Sequence, residues 1–473
     1  MRVLLIYPPI TRWERYSSDM GNAGGRQIPL GIFSIASYVR SLGHTVDVID
    51  SEALGISARR TMEKAVAFSP DVIGLSSTTV AFHRALEVAR LAKAALPRVP
   101  VVIGGPHLTV DPQGVMQNPE FDYGVAGEGE DIFARLLAAL EAGTGTMDIP
   151  GLAIRANGQV RVNERPPLIP NLDILPMPAY DLVPDFFAYN PPPCNYKKLP
   201  VANVITARGC PNQCTFCDRS VFGNRLRQRS PQNIAAEIET LYRRHHVREI
   251  AFVDDTFTIG PQRIHDLFDM LDKKGIRFPW TCMSRINTVD LETLRYMRDK
   301  GCWHISFGIE SGSQEILSLI KKKISLDDAR RVLAWCRKLG ILTKGFFIIG
   351  HPGETGKTIA QTISFALDSA MDDVVVTLNT PLPGSEQFEN VGNYGTLSLA
   401  DWSRFNLWNP VFVPHGLTRD ILVASQKEFY RKFYLRPRPM ARYAASFLSP
   451  TGLRRAAALA KSLPFLVRGH QRS

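Results

Sequence analysis

The stretch Arg208-Gly-Cys210-Pro-Asn-Gln-Cys214-Thr-Phe-Cys217 packs three of the chain's seven cysteines into eight residues. A loop with this CxxxCxxC spacing can curl three thiolates onto one metal core, and the glycine at its start relieves backbone strain. Three protein ligands on a four-iron cluster leave one iron open. A structural zinc site would need a fourth ligand, for which only Cys194 or a distant histidine offers itself. An odd cysteine count clustered in this way argues for metal ligation in a reducing compartment and against a disulfide framework.

The loop directly follows a short apolar run, Ala202 to Thr206, and five similar runs come after it: Glu249 to Val253, Trp280 to Ser284, His304 to Ile309, Thr343 to Ile349 and Asp373 to Thr377. Segments of helical period begin between them near Pro231, Pro261, Asp290, Ser325 and Thr355. Strand-sized runs alternating with helices predict βα units on a parallel sheet. Residues 196–395 therefore read as a partial (β/α)₆ barrel whose site lies at the carboxyl ends of its strands.

Toward the N-terminus the same alternation recurs over residues 1–145. Strands are expected at Val3 to Tyr7, Thr45 to Ile49, Val72 to Ser76, Val101 to Gly104 and Tyr123 to Ala126, with helices at Gly31 to Leu42, Ala58 to Phe68, Ala81 to Ala95 and Asp131 to Glu141. This is a doubly wound, Rossmann-like α/β domain, and its ligand belongs at the strand carboxyl ends. Small residues gather there: Ser76-Ser77-Thr78, Gly104-Gly105-Pro106-His107 and Gly127-Glu128-Gly129-Glu130. Residues 146–195, with Pro191-Pro192-Pro193, read as a proline-rich linker that wraps rather than folds. Residues 396–473 read as a mainly helical C-terminal extension. Its aromatic residues Trp402, Phe405, Trp408 and Phe412 either close the barrel mouth over a flat or greasy substrate or pack against its base.

A chain of 473 residues with 45% hydrophobic content supports two such domains. The apolar run before Pro8 is too short for a signal peptide or a membrane span, which predicts a cytoplasmic protein. The net charge of +11 is dispersed except in the tail, where Lys427 to Ser473 hold eleven Lys or Arg and one acid, Glu428. That distribution speaks against a nucleic-acid partner. It fits either peripheral contact with an anionic membrane or a solvated helical tail packed on the barrel.

With Phe216 before the last cysteine, the stretch from about Val201 to Ser385 resembles a radical S-adenosylmethionine (SAM) barrel. The resemblance implies a [4Fe-4S] cluster on Cys210, Cys214 and Cys217, with the amino and carboxylate groups of SAM on the open iron. Phe252-Val-Asp254-Asp255-Thr-Phe257 resembles the segment near the methionyl group, Gly308-Ile-Glu310-Ser311-Gly312 the segment near the ribose, and Gly345 to Glu354 the glycine-proline turn that supports adenine. Phe216, Asp254, Arg285, Glu310 and Ser311 are thus the expected SAM residues. Asp254, Asp255 or Glu310 can accept hydrogen bonds from ammonium or ribose hydroxyls, and Arg285 can pair with the carboxylate. Acids at strand ends also serve simply as helix N-caps.

The pairing of both domains, over residues 1 to about 390, resembles the cobalamin-binding-domain class of radical SAM proteins. Corrin and nucleotide tail are then expected on Ser76, Thr78, Gly104, Gly105, Gly127 and Glu128, while His107 either faces the cofactor or lies partly exposed in its turn. Where related cobalamin domains carry DxHxxG, this chain has Asp50-Ser-Glu52-Ala-Leu-Gly55, with glutamate in the place of the histidine. A glutamate is a poorer cobalt donor than imidazole, so binding without a histidine ligand is expected.

The class implies reductive cleavage of SAM, fed by an external electron donor of flavodoxin or ferredoxin type, and cobalamin-dependent C-methylation of an unactivated carbon. The alternative is cyclisation, oxidation or rearrangement, as in proteins resembling the anaerobic porphyrin ring cyclase. A non-catalytic zinc or cobalamin-sensing module leaves the three cysteines without a fourth ligand. A small-molecule substrate is expected, with a lipid, a porphyrin or another hydrophobic intermediate favoured over nucleic acid. Cys282, Cys302 and Cys336 read as small buried hydrophobes, and Trp280, Met283 and Phe307 as core or as substrate-cavity lining.

Overall fold

The computed structural model describes residues 1–16, 24–192, 195–437 and 439–440. Cys194, Arg438 and the basic tail beyond Met440 lie outside them. In the N-terminal part, β1 (Arg2–Tyr7), β2 (Thr45–Asp50), β3 (Val72–Ser76), β4 (Val101–Gly104) and β5 (Tyr123–Val125) are parallel, in the order β2-β1-β3-β4-β5. Alternate side chains of β1 sort to opposite faces: Val3 and Leu5 enter one apolar cluster, Leu4 and Ile6 the other. A strand covered by helices on both faces must be apolar at every position, which is why it reads as a continuous run. The strand order reverses between β1 and β3, and the crevice above their carboxyl ends is the place for a ligand.

The segment read as linker is partly folded. β6 (Leu152–Ala156) and β7 (Gln159–Val162) form an antiparallel hairpin on β5 and extend the sheet to seven strands. Its turn is Asn157-Gly158, both with positive φ (52° and 78°), the pair that a two-residue hairpin favours. The rest of the segment wraps, but it does so as packing. Tyr180, Phe186 and Tyr189 are buried in the cluster that also holds β1 and barrel residues, so one core runs through both domains.

The barrel strands are β8 (Val201–Val204), β11 (Glu249–Phe252), β12 (Trp280–Ser284), β13 (Cys302–Glu310), β14 (Leu342–Ile349) and β15 (Asp373–Leu378), parallel and in sequential order. Between the first two, β9 (Ala207–Arg208) and β10 (Arg227–Gln228) pair antiparallel and bracket the cysteine loop. The following helices start on caps visible in the sequence. Ser230, Asp290, Ser325 and Thr355 each accept a backbone N–H of the first turn, and Pro231 and Pro261 occupy first-turn positions.

The C-terminal extension begins with a hairpin of β16 (Gly395–Leu397) and β17 (Phe412–Pro414) and continues as the helix Arg419–Tyr434. That helix covers the edge of β15: the Tyr430 hydroxyl accepts from Val376 N at 2.9 Å, and Gln426 donates to Val376 O at 2.8 Å. Side chains thereby satisfy main-chain groups that an open edge would expose. The aromatic stretch joins the two halves, with Trp402 against His107 and Trp408 stacked on Tyr430. Among the described residues no helix is long and apolar enough to cross a membrane.

Asn203, buried on β8, locks the domains together, accepting from Ile28 N at 2.9 Å and donating to Ile28 O at 3.0 Å. Asn203→Ala strands both peptide groups in an apolar junction and should cost about 2 kcal/mol of stability, measurable as a lowered denaturant midpoint of the full chain.

Candidate active site

Gly209 opens the cysteine loop at φ 85°, and a Cβ there would lie 2.4 Å from Arg225 O, so this tight entry admits only glycine. Cys214 is buried, Cys210 half-buried and Cys217 exposed. Two of the sulfurs already have N–H donors: Asn212 Nδ2 lies 3.3 Å from Cys210 Sγ, and an Arg285 guanidinium nitrogen lies 3.5 Å from Cys214 Sγ. The other Arg285 terminus donates to Lys322 O. The middle of the loop is pinned at Thr215, which donates to Ile320 O at 3.1 Å and accepts from the backbone and side chain of Gln387 at 3.0 Å each. Among the described residues no group of three His, Cys, Asp or Glu side chains is drawn together as a metal site. The donor set nevertheless fits an iron-sulfur cluster: three thiols on one loop, with N–H groups aimed at two of them to stabilise thiolate charge.

The ends of the later barrel strands gather beside this loop. Glu310 closes β13 with a positive φ of 72°, where the register with β14 slips, and its carboxylate accepts from Lys322 Nζ at 2.8 Å. Both groups are buried. A Cβ on Gly308 would lie 2.5 Å from the carboxylate and 2.8 Å from the ammonium, so glycine makes room for the pair. Lys322 Nζ stands 5.9 Å from the Phe216 ring, which in turn lies 5.6 Å from His351. The His351 ring is fully buried with neither nitrogen hydrogen-bonded. Burial, aided by Lys322, drives its pKa down to about 3, so the ring is neutral. Glu354 turns back to accept from Gly350 N and His351 N, and burial raises its pKa to about 7.

The remaining strand-end residues act through the backbone. The Asp254 carboxylate accepts from Thr206 N at 2.7 Å and Thr206 Oγ1 at 3.0 Å, and so holds the base of the cysteine loop. Its second oxygen is buried without a partner, and burial raises its pKa to about 6 against the pull of Arg263. Ser311 is fully buried, with its hydroxyl 3.1 Å from Thr362 Oγ1 and accepting from Ser313 N at 3.1 Å. Lys322 escaped the sequence reading because Lys321-Lys322-Lys323 looks like a solvated charge run. Its flanking Ile320 and Ile324, two residues away on either side, are the signal that the middle lysine points inward.

A chamber of about 600 Å³ separates the two sheets at their carboxyl ends. Ser76, Thr78, Gly104, Gly105, Gly127 and Glu128 line one side, and Val253, Asp255 and Met283 from the barrel line the other. Gly105 has φ 96°, and a Cβ there would lie 2.8 Å from Ser77 O. Thr78 Oγ1 is buried in the wall without a hydrogen-bond partner, a free polar group of the kind a bound corrin amide could engage. Trp280 and Phe307 are core residues, as are Cys282, Cys302 and Cys336.

The Glu128 carboxylate is engaged by protein groups: Arg227 at 2.8 and 2.9 Å, Arg208 at 2.8 Å and Ile169 N at 2.8 Å. Burial would raise its pKa, but the two guanidinium groups outweigh that and hold it below the usual carboxylate range. Glu52 is also buried and committed, 2.5 Å from Arg15 and 3.6 Å from Arg26, and it is not part of the chamber wall. His107 is neither exposed nor turned to the chamber. Its ring packs against Phe82 at 4.7 Å and Trp402 at 5.4 Å, and burial lowers its pKa to about 4.

Residues 204–366 match the radical SAM superfamily and residues 17–137 the B12 binding domain. The chain is 35% identical over 443 residues to an uncharacterized methyltransferase of Pyrococcus horikoshii, covering 93% of each chain. This chain belongs to the radical SAM superfamily, in its B12-binding-domain class. It is also 28% identical to the anaerobic magnesium-protoporphyrin IX monomethyl ester cyclase of Rubrivivax gelatinosus, over 92% of this chain and 78% of that one. The solved structure of the cobalamin-dependent SAM radical enzyme OxsB, with aqua-cobalamin and SAM bound, shares the fold at a TM-score of 0.75 and 16% identity, covering 98% of this chain and 71% of that one. As a radical SAM enzyme with a B12 domain, the protein takes a [4Fe-4S] cluster, SAM and cobalamin as its cofactors.

Two measurements probe this radical SAM site. Arg285→Met removes an N–H donor from Cys214 and should leave iron content unchanged while lowering the cluster's reduction potential, on the order of 50 mV, in a redox titration followed by electron paramagnetic resonance. Glu354→Gln tests the buried acid. Because the folded pKa of Glu354, about 7, exceeds its ordinary 4.5, wild-type stability is full below pH 4.5 and falls as pH rises through 7. The glutamine keeps both backbone hydrogen bonds but cannot ionise, so chemical denaturation at pH 5 and pH 8 should show a smaller loss in the variant.

Proposed function

We propose that this radical SAM enzyme methylates an unactivated carbon of a small molecule, with cobalamin as the methyl carrier. The observation that supports the reading is the chamber of about 600 Å³ between the carboxyl ends of two parallel sheets, with Ser76, Thr78, Gly104 and Gly105 on one side and Val253, Asp255 and Met283 of the barrel on the other. Cys210, Cys214 and Cys217 would hold the cluster. Phe216, Arg285 and Glu310 would frame SAM by contact and charge, and Asp254 and Ser311 by fixing the loops that carry them. Cobalamin would lie on Ser76, Thr78, Gly104, Gly105, Gly127 and the Glu128 turn, with no histidine beneath it. When bound, the cluster supplies the electron that splits SAM, and the cobalamin supplies a carrier for the methyl group.

The chain's own residues position, shield and neutralise. The Glu310–Lys322 pair offers a carboxylate acceptor whose charge is already balanced, so hydroxyl groups can be held there without a net buried charge. His351, kept neutral, presents unpaired ring nitrogens that can donate on one side and accept on the other. Val253 and Met283 give the barrel side an apolar surface that excludes water from a reactive centre. The electron has to come from outside the chain, for which a flavodoxin- or ferredoxin-type donor is suited. The similarity to the cyclases supports a second reading, radical cyclisation or oxidation, in which no methyl group reaches the product.

Anaerobic reconstitution with iron and sulfide, followed by hydroxocobalamin, SAM and a strong reductant, tests these readings. The wild type should release 5′-deoxyadenosine together with cobalamin-dependent S-adenosylhomocysteine, and Ala at Cys210, Cys214 and Cys217 should abolish both. Deoxyadenosine without S-adenosylhomocysteine keeps the radical SAM assignment and leaves the choice between the two readings to an assay with substrate. Failure to assemble any cluster overturns both.

A further inference from the structure

A second cavity, of about 530 Å³, borders the main chamber and shares Gly127, Glu128, Arg219, Val221 and Gly223 with it. The wrapping segment supplies its outer wall through Leu168 and Ile169, the helix Gly129–Ala142 supplies Ile132, and the chain leaving the cysteine loop supplies Val221. The side cavity thus has an apolar outer wall and adjoins the space between the two sheets.

Its charge is one-sided. The acids on its wall are already matched: Glu128 by Arg208 and Arg227, Asp131 by Arg135 at 2.7 Å. The arginines are not. Arg165 donates to Ser220 O at 2.6 Å and Arg219 to Asn212 O at 2.7 Å, both main-chain carbonyls, and neither forms an ion pair with a carboxylate among the described residues. Each guanidinium carries five N–H groups in a planar fork suited to an oxyanion, so most of that donor capacity is left for a ligand. Gly127 sets the Arg165 stem at the seam of the two cavities, since a Cβ there would lie 3.4 Å from Arg165 Cδ.

We propose that the side cavity binds the non-reacting part of the substrate, and that the substrate is an amphipathic small molecule. Its apolar body packs on Ile132, Leu168, Ile169 and Val221, its oxyanion group, a carboxylate or phosphate, is paired by Arg165 and Arg219, and its reacting carbon reaches into the main chamber. This deepens the methyl-transfer reading and rests on it for the location of the chemistry. Binding energy from the anionic end anchors the molecule away from the reacting centre and orients the carbon to be attacked.

The test needs no turnover. The full chain, loaded with hydroxocobalamin so that the main chamber is occupied, is titrated calorimetrically with naphthalene carboxylate and with its neutral carboxamide. The wild type should bind the carboxylate at one saturable site and more tightly than the amide. Arg165→Gln combined with Arg219→Gln should weaken the carboxylate about tenfold and leave the amide unchanged, while the two Lys substitutions should retain most of the preference. Arg165→Gln alone, exposed and clear of the cysteine loop, should show part of the effect even if the double variant is unstable. Equal loss of both probes, no preference for the carboxylate in the wild type, or displacement of the carboxylate by further cobalamin would overturn the proposal. Absence of deoxyadenosine formation by the wild type would instead count against the methyl-transfer reading, leaving the binding result standing.

Discussion

Glu128 is the carboxylate on which the two halves of the molecule meet. Arg208 and Arg227 are direct cross-strand partners in the β9–β10 pair, two guanidinium groups facing each other at the stems of the cysteine loop. Like charges so placed repel and would pry the stems apart. Glu128 sits between them and accepts from both, Glu130 takes the far side of Arg208, and Ile169 N meets a remaining lone pair. A buried ion cluster recovers its desolvation cost only when nearly every donor and acceptor is met, and this geometry approaches that condition. The consequence is positional. The loop that carries the cysteines is fastened at both stems to the turn after β5 by the carboxylates of Glu128 and Glu130.

On the barrel side a second chain of contacts ends on the same loop. Lys322 gives its ammonium to Glu310 and its carbonyl to Arg285, and Arg285 reaches the sulfur of Cys214. For this to close, Glu310 must leave the strand at positive φ, a conformation that costs a non-glycine residue about 1–3 kcal/mol. The ion pair and the absence of a side chain at Gly308 are what hold it there. Neighbouring strand ends are therefore not independent pieces of a pocket. They are coupled through a single lysine to the orientation of the cysteine loop.

Much of this was legible in the sequence because it follows from chain direction. In parallel sheets every strand ends at the same face, so the small residues after β3, β4 and β5 had to line one chamber, and they do. The cap residues Ser230, Asp290, Ser325 and Thr355 marked helix starts because each side chain satisfies a donor only a few positions along. What sequence reading could not assign depends on partners far away in the chain. Glu128 looked like a ligand-facing residue, yet its partners Arg208 and Arg227 lie 80 and 99 positions on. The β6–β7 hairpin was hidden for a different reason. Its outer strand alternates Gln159, Val160, Arg161 and Val162 at a sheet edge, too polar to stand out as a run, although Asn157-Gly158 announced the turn.

The replacement of histidine by Glu52 acquires a physical meaning from its neighbours. A free carboxylate near a cobalt site would bring charge and a hard oxygen donor, but Glu52 is tied to Arg15 and Arg26, and Asp50 is tied to Tyr189 and Ala53 N. The network approaches the chamber only through Tyr7, whose hydroxyl faces Arg15 at 3.3 Å. The wall above β1 and β3 is then Leu5, Tyr7, Gly74, Leu75, Ser76 and Thr78, which contains no imidazole, thiol or carboxylate. The strongest donors it offers are hydroxyl groups, poor ligands for a cobalt ion. A wall of that kind would hold a corrin by shape and by hydrogen bonds from the Ser76 and Thr78 hydroxyls to its periphery.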